Sequence, residues 1–175
     1  MFTTRPDIYG VFGVASTTHW IASQTAMAML ERGGNAFDAA VAAGFALLVV
    51  EPHLCGPAGE VPILFRAAGE DEPRVLCGQG VAPGAATIGA FRDLDLDMVP
   101  GSGLIAAVTP GAFDAWMMLL RDYGTMEPSA VLEPALGYAL GGFPISAGAA
   151  SALADVAEAL REHWTSSAPV WLPGG

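Results

Sequence analysis

Fifteen consecutive residues, Ala36 to Val50, consist of apolar side chains and one glycine, interrupted only by Asp38. No other feature constrains the fold as much. Asn35 is a good N-cap for a helix. Asp38 follows three residues later, in the first turn, where a negative charge meets the positive end of the helix dipole. Glu51-Pro52 closes the run, because proline disfavours helical geometry in the residue before it. The helix is apolar on nearly every side, and Ala39, Ala40, Ala42, Ala43 and Gly44 keep it slim. Such a helix lies in the middle of a domain, with close neighbours on more than one face. At about 15 residues it is too short to span a bilayer.

The neighbours can be read in order. Gly10-Val-Phe-Gly-Val-Ala-Ser16 is a short apolar run with glycines and predicts a buried strand. Thr17, Thr18 and His19 supply turn and cap material for a helix over Trp20 to Arg32, which Gly33-Gly34 stops. After the central helix comes a Gly/Pro-rich loop from Leu54 to Pro62. Pro62–Ala67 and Arg74–Cys77 then predict two strands, joined through the acidic turn Gly69–Pro73 into an antiparallel hairpin. A second Gly/Pro loop, Gly78–Gly84, leads to helices over Ala85–Leu94, Ala112–Tyr123 and Pro128–Leu140, and a last one from a Ser146 cap to Trp164. Thr165 to Gly175, with Pro169 and Pro173, predicts a linker or a truncated continuation, so residues 1–164 form the structured unit. This order gives an α+β layered fold with an antiparallel sheet. Three or four strands make a thin sheet for so many helices, and more strands are expected beyond residue 175.

Composition narrows the function classes. Hydrophobic residues make up 53% and charged residues 14%, the reverse of a disordered chain. So low a charged fraction suggests apolar surface covered by a partner or by further sequence. The 18 acids face 7 bases, all Arg, for a formal charge of −11, which repels phosphate backbones and anionic lipid. Neither a nucleic-acid nor a membrane partner is expected. Met1 to Gly10 holds Arg5, Pro6 and Asp7 and no apolar core of a secretory signal, which predicts a cytoplasmic protein unless a leader has been removed. Cys55 and Cys77 match no zinc or redox spacing and are expected in the core.

Other suggestive residues have bland readings. Asp93, Asp95 and Asp97 alternate, but the twelve-residue calcium loop and its closing Glu are lacking, so a solvated acidic face is expected. Gly78-Gln-Gly-Val-Ala-Pro-Gly84 has one residue too many for a dinucleotide loop and contains Pro83. His53 is either catalytic or, as such a histidine more often is, a helix cap or a partner of a backbone carbonyl. His19 and His163 make no constellation with it. Trp116, Met117 and Met118 are read as core. Neither a metal nor a cofactor is expected.

Several ordered strings go further. Gly13-Val-Ala-Ser16, Ala22-Ser-Gln24, Met29-Leu-Glu-Arg-Gly-Gly-Asn-Ala-Phe-Asp-Ala-Ala-Val-Ala-Ala43 and Val49-Val-Glu-Pro-His53, followed by Ala82-Pro-Gly-Ala-Ala-Thr87 and Val108-Thr-Pro-Gly-Ala112, resemble the γ-glutamyltransferase family in sequence and in order. The resemblance covers about Gly10 to Pro144. It implies an N-terminal-nucleophile hydrolase with a four-layer αββα core, made as one chain that cuts itself to expose a nucleophilic Thr. By the resemblance, that Thr and the oxyanion glycines belong to a small subunit, and this chain is the first part of the large subunit. It holds no catalytic residue and is inactive alone. Its partners are the remainder of the large subunit, the small subunit and a small-molecule amide.

Two departures from the family pattern matter. The family places an Arg just before the Ala-Pro string, where it pairs with the α-carboxylate of a γ-glutamyl group; here Gln79 occupies that place, as a substrate-contacting group or as an ordinary loop residue. Leu54-Cys-Gly-Pro-Ala-Gly-Glu60 also lacks the family's run of glycines. Both point away from glutathione and toward a different amide. A catalytically silent binding or assembly module and an unrelated small α+β ligand-binding domain remain as alternatives.

Overall fold

A computed structural model describes residues 7–101 and 103–173. The long apolar helix is α2 (Ala36–Val50), preceded by α1 (Trp20–Glu31). A hairpin of β1 (Val61–Phe65) and β2 (Arg74–Gly78) follows, then α3 (Ile88–Arg92), a 3-10 turn at Leu104–Ala106, α4 (Ala112–Tyr123) and α5 (Pro128–Gly141). The chain continues through α6 (Ala147–Asp155), α7 (Ala157–Glu162) and α8 (Ala168–Trp171).

The expectation for α2 is met: α1, α4 and α5 all pack on it, and Val41, Ala42, Ala46 and Val50 are completely buried. The turn into α2 is tightly built. Gly33, at φ 91°, sits beyond the end of α1; its N–H reaches the Leu30 carbonyl at 3.0 Å, and that of Gly34 reaches Met29 at 2.9 Å. These two bonds form the Schellman motif, and the positive φ there favours glycine. Asn35 Oδ1 then accepts from the N–H groups of Phe37 (2.8 Å) and Asp38 (3.0 Å), while Asp38 Oδ2 accepts from the Asn35 N–H at 2.7 Å. The capping is reciprocal, so donors left over at the helix start are satisfied locally.

Asp38 also acts over a long range. It is fully buried and accepts from Thr125 N–H (2.9 Å), Thr125 Oγ1 (2.7 Å) and Met126 N–H (3.1 Å), in the connection from α4 to α5. Asn35 Nδ2 adds a bond to the Tyr123 carbonyl at 2.7 Å. One helix start thus fixes the α4–α5 connection against α2.

The hairpin is antiparallel, with Ile63 opposite Leu76 and Leu64 opposite Val75. Ile63, Phe65 and Leu76 face the helical core, where the Phe65 ring meets Phe37 edge-on at 5.4 Å. On the other face Leu64 and Val75 are 72% and 70% exposed, with Pro62 and Cys77 beside them. The sheet therefore has helices on one side and an apolar surface on the other.

Several expectations need correction. Gly10–Ser16 is not a strand: no described segment pairs with it, and Val11, Phe12 and Val14 are exposed. An apolar run becomes a strand only where another backbone completes its ladder. The described sheet therefore has two strands rather than three or four. Cys77 is exposed on the outer face of β2, and only Cys55 is half-buried. The helix capped by Ser146 breaks at Val156 into α6 and α7. The stretch expected as a linker carries the one-turn α8, while Gly174 and Gly175, like Arg5 and Pro6 at the start, lie outside the described residues.

Candidate functional site

Three irregular segments meet at the end of the hairpin: the loop after α2, the residues after β2, and the approach to α4. The loop after α2 begins with the Leu54 and Cys55 N–H groups folding back onto the Glu51 carbonyl, at 3.0 and 3.1 Å. It ends with the Gly59 carbonyl accepting from the N–H groups of Gly111 (3.2 Å) and Ala112 (3.0 Å), which are otherwise unpaired donors at the start of α4. Thr109 N–H bonds the Val81 carbonyl at 3.0 Å. The Gly78–Gly84 loop and the Val108–Ala112 string are therefore physically joined.

Glycines make this junction possible. A Cβ on Gly80 would lie 1.5 Å from the Thr109 carbonyl oxygen, and one on Gly111 would lie 2.5 Å from that of Gly78. Backbone packs on backbone here, leaving no room for a methyl group.

Gln79 stands between Gly78 and Gly80, where a Cβ on Gly78 too would lie 2.5 Å from the Val61 carbonyl oxygen, and its side chain is exposed. Its Nε2 donates to Glu60 Oε2 at 3.4 Å, and its Oε1 accepts weakly from Cys77 Sγ at 3.8 Å. Glu60 in turn lines a cleft of about 640 Å³ between the end of α2 and the start of α4, with Leu47, His53, Ala112 and Trp116 among the other walls. Sequence reasoning singled out Gln79 and missed Glu60. The available signal was a lone acid closing a loop of small residues.

The other candidates separate. His53 lines the same cleft, but its buried Nδ1 has no hydrogen-bond partner, so the expected cap or carbonyl bond is not made. His19 instead caps α1, its Nδ1 accepting from the Ile21 N–H at 3.2 Å. His163 is exposed at the end of α7. The Cys55 thiol, held neutral by burial and by the nearby Glu51 carboxylate, donates to the Glu51 carbonyl at 3.5 Å and not to His53. A thiol with a raised pKa is a poor nucleophile. Glu51, also missed, is buried and accepts from Thr18 Oγ1, tying the end of α2 to the start of α1. Asp93, Asp95 and Asp97 are all exposed, and among the described residues no three His, Cys, Asp or Glu side chains group as a metal site. Trp116 packs its ring against Gly44, half-buried as core.

The described site can therefore bind, but it contains no nucleophile paired with a base. No described helix is long and apolar enough to cross a membrane.

Comparison with known proteins identifies the setting. The family profile for Gamma-glutamyltranspeptidase matches residues 22–175. The Glutathione hydrolase-like YwrD proenzyme of Bacillus subtilis is 36% identical over 142 residues, covering 81% of this chain and 27% of that one. The Oxamate amidohydrolase proenzyme of Klebsiella pneumoniae is 35% identical over 169 residues, 93% of this chain and 31% of that one. The solved structure of LmbA2991HD superposes with a TM-score of 0.95 at 59% identity, over 100% of this chain and 30% of that one. The chain thus spans under a third of the length of these relatives. Its helices and hairpin are part of an N-terminal-nucleophile hydrolase fold, and the family is one of amide hydrolases and transferases. The chain belongs to the γ-glutamyltranspeptidase family, as its N-terminal portion.

Proposed function

We propose that this chain is the large-subunit portion of a γ-glutamyltransferase-like amide-bond acyltransferase or hydrolase, contributing scaffold and one wall of the substrate pocket. The nucleophile is a Thr on the remainder of the protein, freed by self-cleavage. A hydroxyl is a weak nucleophile, and the α-amine released on the same residue serves as its base. Backbone N–H groups stabilise the oxyanion of the acyl-transfer intermediate. Water or an amine then takes the acyl group.

The observation that supports this reading best is the junction around Gln79. The loop that carries it is bonded to the Val108–Ala112 string through the Thr109 N–H on the Val81 carbonyl, and its exposed side chain donates to Glu60, which lines a cleft. The partners are the rest of the large subunit and the small subunit; the bare apolar face of the hairpin, with Leu64 and Val75, fits a second sheet layer. A catalytically silent module that keeps the fold draws on the same absence of an Arg at position 79. A Thr at a cleavage junction in the remaining sequence separates the two.

The substrate is an amide whose acyl group is not recognised through an α-carboxylate. A guanidinium makes charge-assisted, forked bonds to a carboxylate, whereas the Gln79 amide offers only neutral ones. In the whole protein, Gln79→Arg is expected to lower KM for γ-glutamyl substrates about tenfold, the equivalent of about 1.4 kcal/mol. Amides lacking the carboxylate should respond much less. Equal changes in kcat/KM for both substrate types, or none, would make Gln79 an ordinary loop residue.

A further inference from the structure

We propose that Glu60 is the specificity-determining residue of this pocket wall, and that with Gln79 it selects an acyl group carrying a protonated amine. This inference rests on the reading of the chain as the wall of an amide-substrate pocket.

The geometry around the pair carries it. Among the described residues lining the cleft, Glu60 is the only carboxylate and there is no Arg. Among the described residues no ion pair includes Glu60, so no described cation neutralises its charge. The contact with Gln79 fixes the direction of the amide. Nε2 points at the carboxylate, because the flipped amide would aim its oxygen at an anion. One N–H of Nε2 stays free and Gln79 Oε1 already takes the weak Cys77 contact, so the full charge the pair presents is the Glu60 carboxylate, with Oε1 as its open acceptor. An ammonium group has three donors and no acceptor, and so matches such a surface; a carboxylate has acceptors only and is repelled.

The pair is also held in place from both sides. The Gly59 carbonyl, one residue before Glu60, is bonded by two N–H groups at the start of α4, and Val61 enters β1 directly after it. Gln79 is clamped between Gly78 and Gly80, both pressed against backbone. A recognition group set on so constrained a backbone discriminates better than one on a free loop.

Three p-nitroanilides test the proposal in the whole, self-processed protein: 4-aminobutyryl, glutaryl and butyryl, which share the same four carbons and differ only in an ammonium, a carboxylate or a hydrogen on the last of them. The wild type should prefer 4-aminobutyryl over glutaryl by about tenfold in kcat/KM. Glu60→Gln keeps the size of the side chain and removes its charge. It should lower the ratio of 4-aminobutyryl to butyryl kcat/KM about tenfold, with the change in KM rather than kcat. If Glu60→Gln leaves that ratio unmoved while Gln79→Arg raises the ratio of glutaryl to butyryl, the role of Glu60 is overturned and the pocket wall stands. If neither substitution moves any ratio, or the wild type turns over none of the three, the pocket-wall reading is overturned and the proposal falls with it.

Discussion

Asp38 shows how much one residue can hold. Its carboxylate is fully buried and accepts from four donors: the N–H groups of Asn35, Thr125 and Met126 and the Thr125 hydroxyl. Burial alone would raise its pKa, but the bonds from Thr125, Asn35 and Met126 outweigh it and hold the group below its ordinary value. Linkage sets the sign: a carboxylate more acidic folded than unfolded stabilises the fold above its unfolded pKa and loses that contribution as pH falls through the folded one. Acid titration of the wild type should therefore show a loss of stability below about pH 4. Asp38→Ala should remove that component and, by stranding buried donors, cost on the order of 3 kcal/mol in urea denaturation at pH 7. A loss under about 0.5 kcal/mol, the range of ordinary surface substitutions, would contradict this role. Half of the role was legible in the sequence, because Asn35 and Asp38 stand at capping-box spacing. The other half was not: Thr125 and Met126 lie far along the chain, and no local pattern links them to Asp38.

At the scale of elements, periodicity and stop signals worked where helices pack on helices. α1, α2 and α4 fall close to where caps, glycines and prolines predicted them. They failed where an element depends on a neighbour, and Gly10–Ser16 has strand composition without a strand beside it. The junction around Gln79 was legible only as a Gly/Pro loop, Gly78–Gly84, and a separate string, Val108–Ala112; their contact through Val81 and Thr109 is a tertiary fact. Gly80→Ala tests that contact, because its Cβ would fall 1.5 Å from the Thr109 backbone oxygen, which cannot rotate away. Gly84→Ala is the control, with nothing within 4 Å of its Cβ. Thermal melts of the whole protein should show Gly80→Ala destabilised by roughly 1–3 kcal/mol and Gly84→Ala within about 0.5 kcal/mol of the wild type. Equal melts for the two would mean that the junction yields freely.

The molecule as a whole exposes too much apolar surface for the layers it contains. Leu64 and Val75 on the hairpin, and Val11, Phe12 and Leu140 elsewhere, are all more than half exposed. Patches of this kind mark surfaces that associate. The 175-residue chain expressed alone should self-associate and bind a hydrophobic dye, despite a net charge of −11. A monomer by light scattering that stays monodisperse on concentration and binds no dye would contradict the need for a further layer.

The central claim is that this chain frames an active site whose nucleophile lies on another segment of the same polypeptide. Intact-mass measurement and N-terminal sequencing of the whole protein test it most directly, combined with assays of the processed protein and of residues 1–175 alone on anilides whose acyl group lacks an α-carboxylate. The expected result is two polypeptides, this chain within the larger and a Thr at the start of the smaller, with turnover by the processed protein and none by residues 1–175. An uncut polypeptide that turns over substrate, or turnover by residues 1–175 that survives repurification, would contradict it.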